Sequence, residues 1–383
     1  MLALLTPDLV CAADPPPVSN NVQAAMQQYV DDGQLSGAVT LVADRDGIRH
    51  LGAVGKSDLE TERDLRVDDL FWIASLSKPF AATAVMILQD DGRLSIDDPV
   101  SKHLADFEQL TIGEDRRPVQ TVLTIRHLLT HTSGLSSPPW PPGGDNRSLD
   151  VQAAEMASLP LHFEPGSKWA YSNSLNVAGR IVEVVSGLPF AEFVKQRITD
   201  PLGMHETTFH LTDEQHARFV RLYKLNDDKS ALVPAEHKYV TPDPEAGAAI
   251  TPSPSGGLFS TAEDLSRFYR MLLNGGEWEG VRVLSPETVQ AMTTIQTGEL
   301  KTGFTTGNGW GLGFCIVREP QGVTRMLSPG TFGHGGAYGT QGWIDPERGL
   351  ICILMIQRPD LGNSDESPMR DAFQAAAVSL FGQ

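Results

Sequence analysis

Short β-rich runs lie near both ends of this chain and helical periodicity fills its middle, so one sheet can be completed only where the two ends meet. Residues 38–43 and 48–54 are two such runs, joined through Asp44-Arg45-Asp46-Gly47, whose Asp-Gly pair predicts a hairpin turn. Residues 309–317, 331–343 and 350–357 are three more, and Asp345-Pro346-Glu347-Arg348-Gly349 turns the second into the third. Between these blocks the period becomes helical. Leu175, Ala178, Val182 and Val185 share one face of a helix that Gly187 stops, and Thr124 caps Ile125-Arg126-His127-Leu128-Leu129. Ser260-Thr261-Ala262-Glu263 reads as a capping box opening a helix through Phe268 and Leu272, closed by Gly275-Gly276. A helix carrying Val22, Met26, Tyr29 and Val30 is expected before Gly33, and a final one from Ser367-Pro368, burying Phe373, Ala377, Leu380 and Phe381. The expected class is α/β, a sheet flanked by helices and built from about residues 19–75 and 255–383, with a mainly helical region at about 76–254 inserted.

A sizeable core is available, since 40% of the 383 residues are hydrophobic and 20% are charged. The formal net charge of −18 opposes nucleic acid and anionic membrane, which select basic surfaces. No run of about 18 apolar residues is present to span a bilayer. Residues 1–13 end in Cys11-Ala12-Ala13 ahead of Asp14-Pro15-Pro16-Pro17, as a signal-peptidase site would, yet they lack a positive start and carry Pro7 and Asp8 within the apolar stretch. Residues 1–18 are therefore read either as the remnant of an export signal or as a disordered tail. The first reading expects a periplasmic or extracellular protein beginning near Asp14, the second a cytoplasmic one. Cys315 and Cys352 fall in apolar strand-like runs and are expected as buried thiols; no Cys/His spacing resembles a zinc site. The Pro-rich stretch 136–150 is read as loop, and 224–254 as a functional loop or cover.

The densest chemistry begins at Ser75-Leu76-Ser77-Lys78. On a helix starting near Ser75, the three-residue spacing puts hydroxyl and amine on one face, and the free N–H groups of the first turn favour negative charge at the serine oxygen. Phe80, Ala84, Ile87 and Leu88 trace the buried stripe of that helix up to Gly92, and Pro79 fits only a first turn. Ser-x-x-Lys alone is a common pattern. Here it is followed at long range by Tyr171-Ser172-Asn173 and His334-Gly335-Gly336-Ala337. Hydrolysis by a serine needs an activated nucleophile, a proton donor for the leaving group and fixed donors for the oxyanion, and the three stretches offer candidates for each. Rival chemistries are weaker. His205 and His210 stand five apart, the wrong spacing for two metal ligands on one helix face, and no Gly-x-Ser-x-Gly elbow occurs. His131, in a helix-ending turn, is read as a local hydrogen-bond former; Trp72, Trp140, Trp169 and Trp310 could line a pocket, with packing as the default reading for each.

In the order of these motifs the chain resembles the serine β-lactamase and penicillin-binding family, most closely its class C, D-alanyl-D-alanine carboxypeptidase and family VIII esterase branches. Residues 123–135, 164–173, 200–204 and 255–260 are similar too, and the resemblance covers roughly residues 20–382. It implies a β-lactamase-like fold, an antiparallel sheet flanked by helices plus a helical region, in one catalytic domain over 19–383. The site would lie in the cleft between the two regions, and no metal or cofactor would be needed. The resemblance makes Ser75 the acyl-enzyme nucleophile, Lys78 its activating partner, and Tyr171 a general base in acylation and acid for the leaving group. Which of Lys78 and Tyr171 takes the proton stays open. A phenol titrates near 10 when unperturbed, and a neighbouring ammonium is expected to lower that value. Asn173 is expected to bond Lys78 or a substrate amide, the backbone N–H groups of Ser75 and Ala337 to form the oxyanion hole, and His334, Gly335 and Gly336 to border the substrate.

The implied substrate is a small ester, amide or peptide. In class C relatives the third motif is Lys-Thr-Gly, whose ammonium and hydroxyl help anchor a carboxylate; His334 and Gly335 stand there in this chain. A histidine titrating near 6.5 is mostly neutral at pH 7, and glycine offers no hydroxyl, so carboxylate anchoring is expected to weaken. That favours a carboxylesterase, with a D-Ala-D-Ala carboxypeptidase, a D-aminopeptidase or a β-lactamase as the alternative. A penicillin-binding-like sensor without turnover is an answer of a different class. Threonine at position 335 is expected to recover carboxylate affinity.

Overall fold

Eight antiparallel strands form the main sheet in the computed structural model, which describes residues 20–382. Three come from the N-terminal part, β1 (Gly37–Ala43), β2 (Ile48–Asp58) and β3 (Arg63–Asp64). Five come from the C-terminal part, β4 (Asn308–Trp310), β5 (Cys315–Val317), β6 (Phe332–Gly335), β7 (Gln341–Asp345) and β8 (Leu350–Met355). Their order across the sheet is β4-β5-β6-β7-β8-β1-β2-β3. The two blocks meet where β8 pairs with β1, with Ile353 opposite Leu41 and Leu354 opposite Thr40.

Both faces of this junction are apolar, which is why helices cover both. Five helices cover the sheet or carry the site: α1 (Asn20–Asp31), α2 (Ser77–Asp90), α3 (Ser174–Ser186), α4 (Ala262–Leu273) and α5 (Pro368–Phe381). The two-residue period of a strand sends Ala38, Val42, Cys352 and Leu354 to one side, where they pack with Val22 and Met26 of α1 and Phe373 and Ala377 of α5. Val39, Leu41, Ile351 and Ile353 face the other side and join Phe268 of α4 and Phe80 of α2 in the larger core. Each such aliphatic or aromatic side chain, fully buried, stabilises the fold by roughly 1.5–3 kcal/mol relative to exposure. Leu380 departs from expectation, being 39% exposed in the last turn of α5.

The runs 309–317 and 331–343 each prove to be two strands folded back as a hairpin rather than one strand. Gly313 and Gly339 adopt φ of +80° and +95°, where a side chain is strained, and they let the chain reverse without interrupting the apolar alternation. The second reversal, at 336–340, is closed by Gly336 N–H donating to the Thr340 carbonyl at 2.7 Å. The cap of α4 is Thr261, whose hydroxyl accepts from Asp264 N–H at 3.2 Å; Ser260 is instead occupied in a short strand pair opposite Phe71. Residues 224–254 are not featureless, carrying the hairpin Tyr223–Leu225 with Leu232–Pro234 and a helical turn at Pro244–Gly247. Cys315 and Cys352 are buried free thiols. The signal remnant or tail at 1–18 lies outside the described residues.

Candidate active site

Ser75 does not sit in the first turn of the α-helix, as its spacing suggests, but in a 3₁₀ turn, Ala74–Leu76, just ahead of α2. Ala74 there has φ of +49°, a conformation that L-residues rarely adopt and that persists only where neighbours impose it. The neighbours are explicit. Ile73 N–H donates to the Leu258 carbonyl at 3.0 Å, and the Ser77 hydroxyl donates to the Ala74 carbonyl at 2.7 Å while accepting from Leu258 N–H at 3.0 Å. The serine between the two motif residues is thus a clamp on the turn. Ser75 is left half-buried and reachable, whereas Lys78, within the first turn of α2, is only 1% exposed.

The Lys78 Nζ lies 3.2 Å from Ser75 Oγ and donates to the Ser255 carbonyl at 2.7 Å. Ser255 is itself fixed, its N–H donating to Asn176 of α3 at 3.1 Å. Burial pushes the amine down to about 7. A neutral amine keeps an N–H for the Ser255 carbonyl and has a lone pair for the Ser75 proton. The expected bond from Asn173 to Lys78 is not the one formed, because the Ser255 carbonyl takes that place; Asn173 lines the cleft beside it.

Tyr171 enters just before α3 with its ring against His131, centroids 4.5 Å apart, and Phe304, at 4.6 Å, and with Lys78 Nζ 4.5 Å from its centre. Burial pushes its phenol well above the usual value, a hydrogen bond from Ser75 opposing only in part. This reverses the expectation of a lowered phenol. The amine that was to stabilise a phenolate is itself desolvated and substantially neutral near pH 7, so the cost of burying a second charge dominates.

On the sheet side, His334 of β6 is 1% exposed, and burial, helped by Lys78, pushes its imidazole down to about 3. Its Nδ1–H donates to the Gly335 carbonyl at 2.6 Å, which leaves Nε2 as an acceptor for the Tyr171 hydroxyl at 3.4 Å. Lys78, Ser75, Tyr171 and His334 therefore form one continuous polar chain through an otherwise aromatic wall. The β6–β7 turn closes on Ser75 because residue 336 is glycine: a Cβ there would stand 2.6 Å from the Ile73 carbonyl and 2.0 Å from the Thr340 hydroxyl. Neither the Ser75 nor the Ala337 N–H is taken by a backbone carbonyl among the described residues. A cavity of about 470 Å³, bordered by His334, Lys238, Asn363 and Asp365, opens on Ser75. A second, of about 280 Å³, is bordered by Trp72, Trp140, Asn173 and Ser255. Ser75, Tyr171, Tyr239 and Ala337 belong to both.

The sequence profile of the Beta-lactamase family matches residues 22–377. The chain belongs to the β-lactamase family. It is similar to Protein Rv1367c of Mycobacterium tuberculosis (strain ATCC 25618 / H37Rv), 34% identical over 88% of this chain and 90% of that one. It is also similar to Esterase EstB of Burkholderia gladioli, 32% identical over 92% and 94% of the two chains. Among solved structures, EstCE1, described as a hydrolase with promiscuous acyltransferase activity, shares the fold, with a TM-score of 0.78 at 24% identity over 93% and 97% of the chains. The protein is a serine hydrolase of this β-lactamase fold.

In this β-lactamase-family chain the space beside residue 335 is already filled, which its sequence did not reveal. A Cβ on Gly335 would stand 1.7 Å from Oδ1 of Asp365, so threonine at this position, expected to recover carboxylate affinity, would first have to displace a buried acid. Burial pushes the Asp365 carboxyl up, with Arg370 and Gln341 opposing. His131 is the local bond former expected, accepting from Ser172 N–H at 3.3 Å beneath Tyr171. Trp169 and Trp310 pack around it, whereas Trp72 and Trp140 line the smaller cavity instead of merely packing. Sequence reasoning missed Ser255, whose contribution is a backbone carbonyl, and Asp365, which reads as part of the polar lead-in to α5.

Proposed function

We propose that this β-lactamase-family hydrolase is a carboxylesterase acting on small esters through an acyl-Ser75 intermediate. The observation that carries this reading is the state of the third motif. Its histidine is buried, neutral and turned to Tyr171, and its glycine has an acid beside it, so the motif itself offers a substrate carboxylate neither ammonium nor hydroxyl. The similarity to Esterase EstB supports the same reading.

In acylation the neutral Lys78 amine takes the Ser75 proton as Oγ bonds to the ester carbonyl carbon. The N–H groups of Ser75 and Ala337 hold the oxyanion that forms. When the tetrahedral intermediate collapses, the carbon–oxygen bond to the alcohol breaks and the Tyr171 hydroxyl protonates the departing oxygen; the Lys78 ammonium then restores the phenol. Tyr171 acts as an acid here because its raised phenol stays protonated, and a departing alkoxide is basic enough to take the proton. Water then attacks acyl-Ser75 as Lys78 accepts its proton; on collapse the carbon–Oγ bond breaks, the Lys78 ammonium returns that proton to Ser75 Oγ, and the carboxylic acid departs. His334 positions the phenol by accepting its hydrogen bond.

With this chemistry, kcat/KM for p-nitrophenyl butyrate should exceed that for nitrocefin and for a D-Ala-D-Ala peptide. Ser75→Ala should abolish both turnover and covalent labelling by a fluorophosphonate. Faster turnover of nitrocefin or the peptide than of any ester would overturn the esterase reading, and a single stoichiometric burst with every substrate would mark a sensor.

A further inference from the structure

The larger cavity contains a carboxylate that the hydrolytic steps do not use. Asp365 lies in the 3₁₀ turn Ser364–Glu366 ahead of α5, 9% exposed, in the wall of the same cavity as Ser75. Its Oδ1 accepts from Gln341 Nε2 at 3.0 Å, and Gln341 is in turn held by Trp343 Nε1 donating to its Oε1 at 2.8 Å. Arg370 donates to the Asp365 main-chain carbonyl at 2.8 Å while lying 4.0 Å from the centre of the Trp343 ring. Among the described residues no donor reaches Oδ2. The carboxylate fills the volume that any side chain at residue 335 would need, so the absent Cβ of Gly335 and the presence of Asp365 are one arrangement.

We propose that Asp365 is a specificity-determining residue that accepts a hydrogen bond from an ammonium or hydroxyl on the alcohol half of the ester and rejects a carboxylate there. The proposal rests on the esterase reading for the identity of the bond cleaved. The alcohol half belongs in this cavity because His334, which borders it, holds the phenol that protonates the leaving oxygen. The aromatic cavity beside Trp72 and Trp140 fits an apolar acyl chain. Arg370 balances part of the charge, but it is fully buried and is not part of the cavity wall, so it offers no donor to a substrate. Lys238 does line the cavity, yet it is exposed and keeps its hydration, and an ion pair made there is weak. A hydrogen bond to a fixed charged acceptor changes affinity roughly 10- to 100-fold.

Three butyrate esters with a common acyl group test this: those of 2-(dimethylamino)ethanol, whose protonated amine carries an N–H donor, of 3-methylbutanol as its uncharged shape match, and of 4-hydroxybutanoate. In the wild-type protein kcat/KM should fall by about tenfold at each step from cation to neutral to anion, and Asp365→Asn should draw both ratios toward one. Equal rates in the wild type, or ratios that survive the substitution, overturn the proposal. A neutral ester that is not hydrolysed at all would instead overturn the esterase reading. The subsite is then tested by how far 2-(dimethylamino)ethanol and 3-methylbutanol, the free alcohols, slow labelling of Ser75 by a fluorophosphonate, because protection needs only occupancy of the cavity. That comparison is read on the wild-type protein, so a variant that fails to fold does not remove the test; a preference for the protonated alcohol below about threefold overturns the proposal.

Discussion

Lys78 on the helical wall and His334 on the sheet wall are equally dry, each 1% exposed, and burial pushes both down by a similar amount. They end in different places because they begin in different places. The amine falls from 10.5 to about 7 and becomes a base that is free near neutral pH; the imidazole falls from 6.5 to about 3 and becomes a fixed neutral acceptor. The same desolvation applied to the Tyr171 phenol acts in the other direction and keeps it protonated. One dominant physical cause thus leaves a free amine, a protonated phenol and a neutral imidazole along one polar chain. Which charge state results depends chiefly on the residue type.

That comparison breaks most readily at Lys78. Lys78→Met should cost about a thousandfold in acylation rate, since it removes the base while preserving the apolar stem. In the wild type, kcat/KM should be low while the amine is protonated and should rise to a plateau as pH increases through about 7. A pH–rate limb near 10 or above would move the base role to the phenol and undo the contrast between the two groups.

Tyr171→Phe should cost less, about a hundredfold, because it removes the proton donor and the link to His334 but leaves the base and the oxyanion donors in place. The loss should be greater for esters with basic, alkyl leaving groups than for p-nitrophenyl esters, whose leaving group departs without help. Equal losses for both would indicate that the phenol does not protonate the leaving oxygen.

The smallest effect falls on stability. Gly335→Thr should lower the denaturant midpoint by an amount corresponding to about 1–3 kcal/mol, the usual cost of forcing extra atoms into a packed site, without raising nitrocefin turnover. An unchanged midpoint with faster nitrocefin turnover would show that Asp365 yields easily and that the sheet wall is adaptable where the helical wall is not.

What the sequence determined by itself was whatever depends on neighbours along the chain. Ser-x-x-Lys places Ser75 and Lys78 together because a helical turn brings residues three apart onto one face, and this remains true although Ser75 lies in a 3₁₀ turn. β-rich runs at 38–43 and 350–357, with helical periodicity between them, were enough to expect one sheet built from both chain ends, and each run proves to be buried on both faces. Where the chain reverses through glycines inside such a run, as at Gly313 and Gly339, the same signal hid a turn.

Only the tertiary structure decided the charge states and the occupancy of the space beside the motifs. Desolvation is a property of everything packed around a group, so the direction of the Tyr171 shift could not be read from a lysine elsewhere in the chain. The acid at residue 365 is separated from Gly335 by thirty residues and signals nothing until the turn before α5 docks against β6, where the missing Cβ of one makes room for the carboxylate of the other. Sequence spacing can state which atoms lie near one another along a helix or strand; it does not state which volumes are already filled.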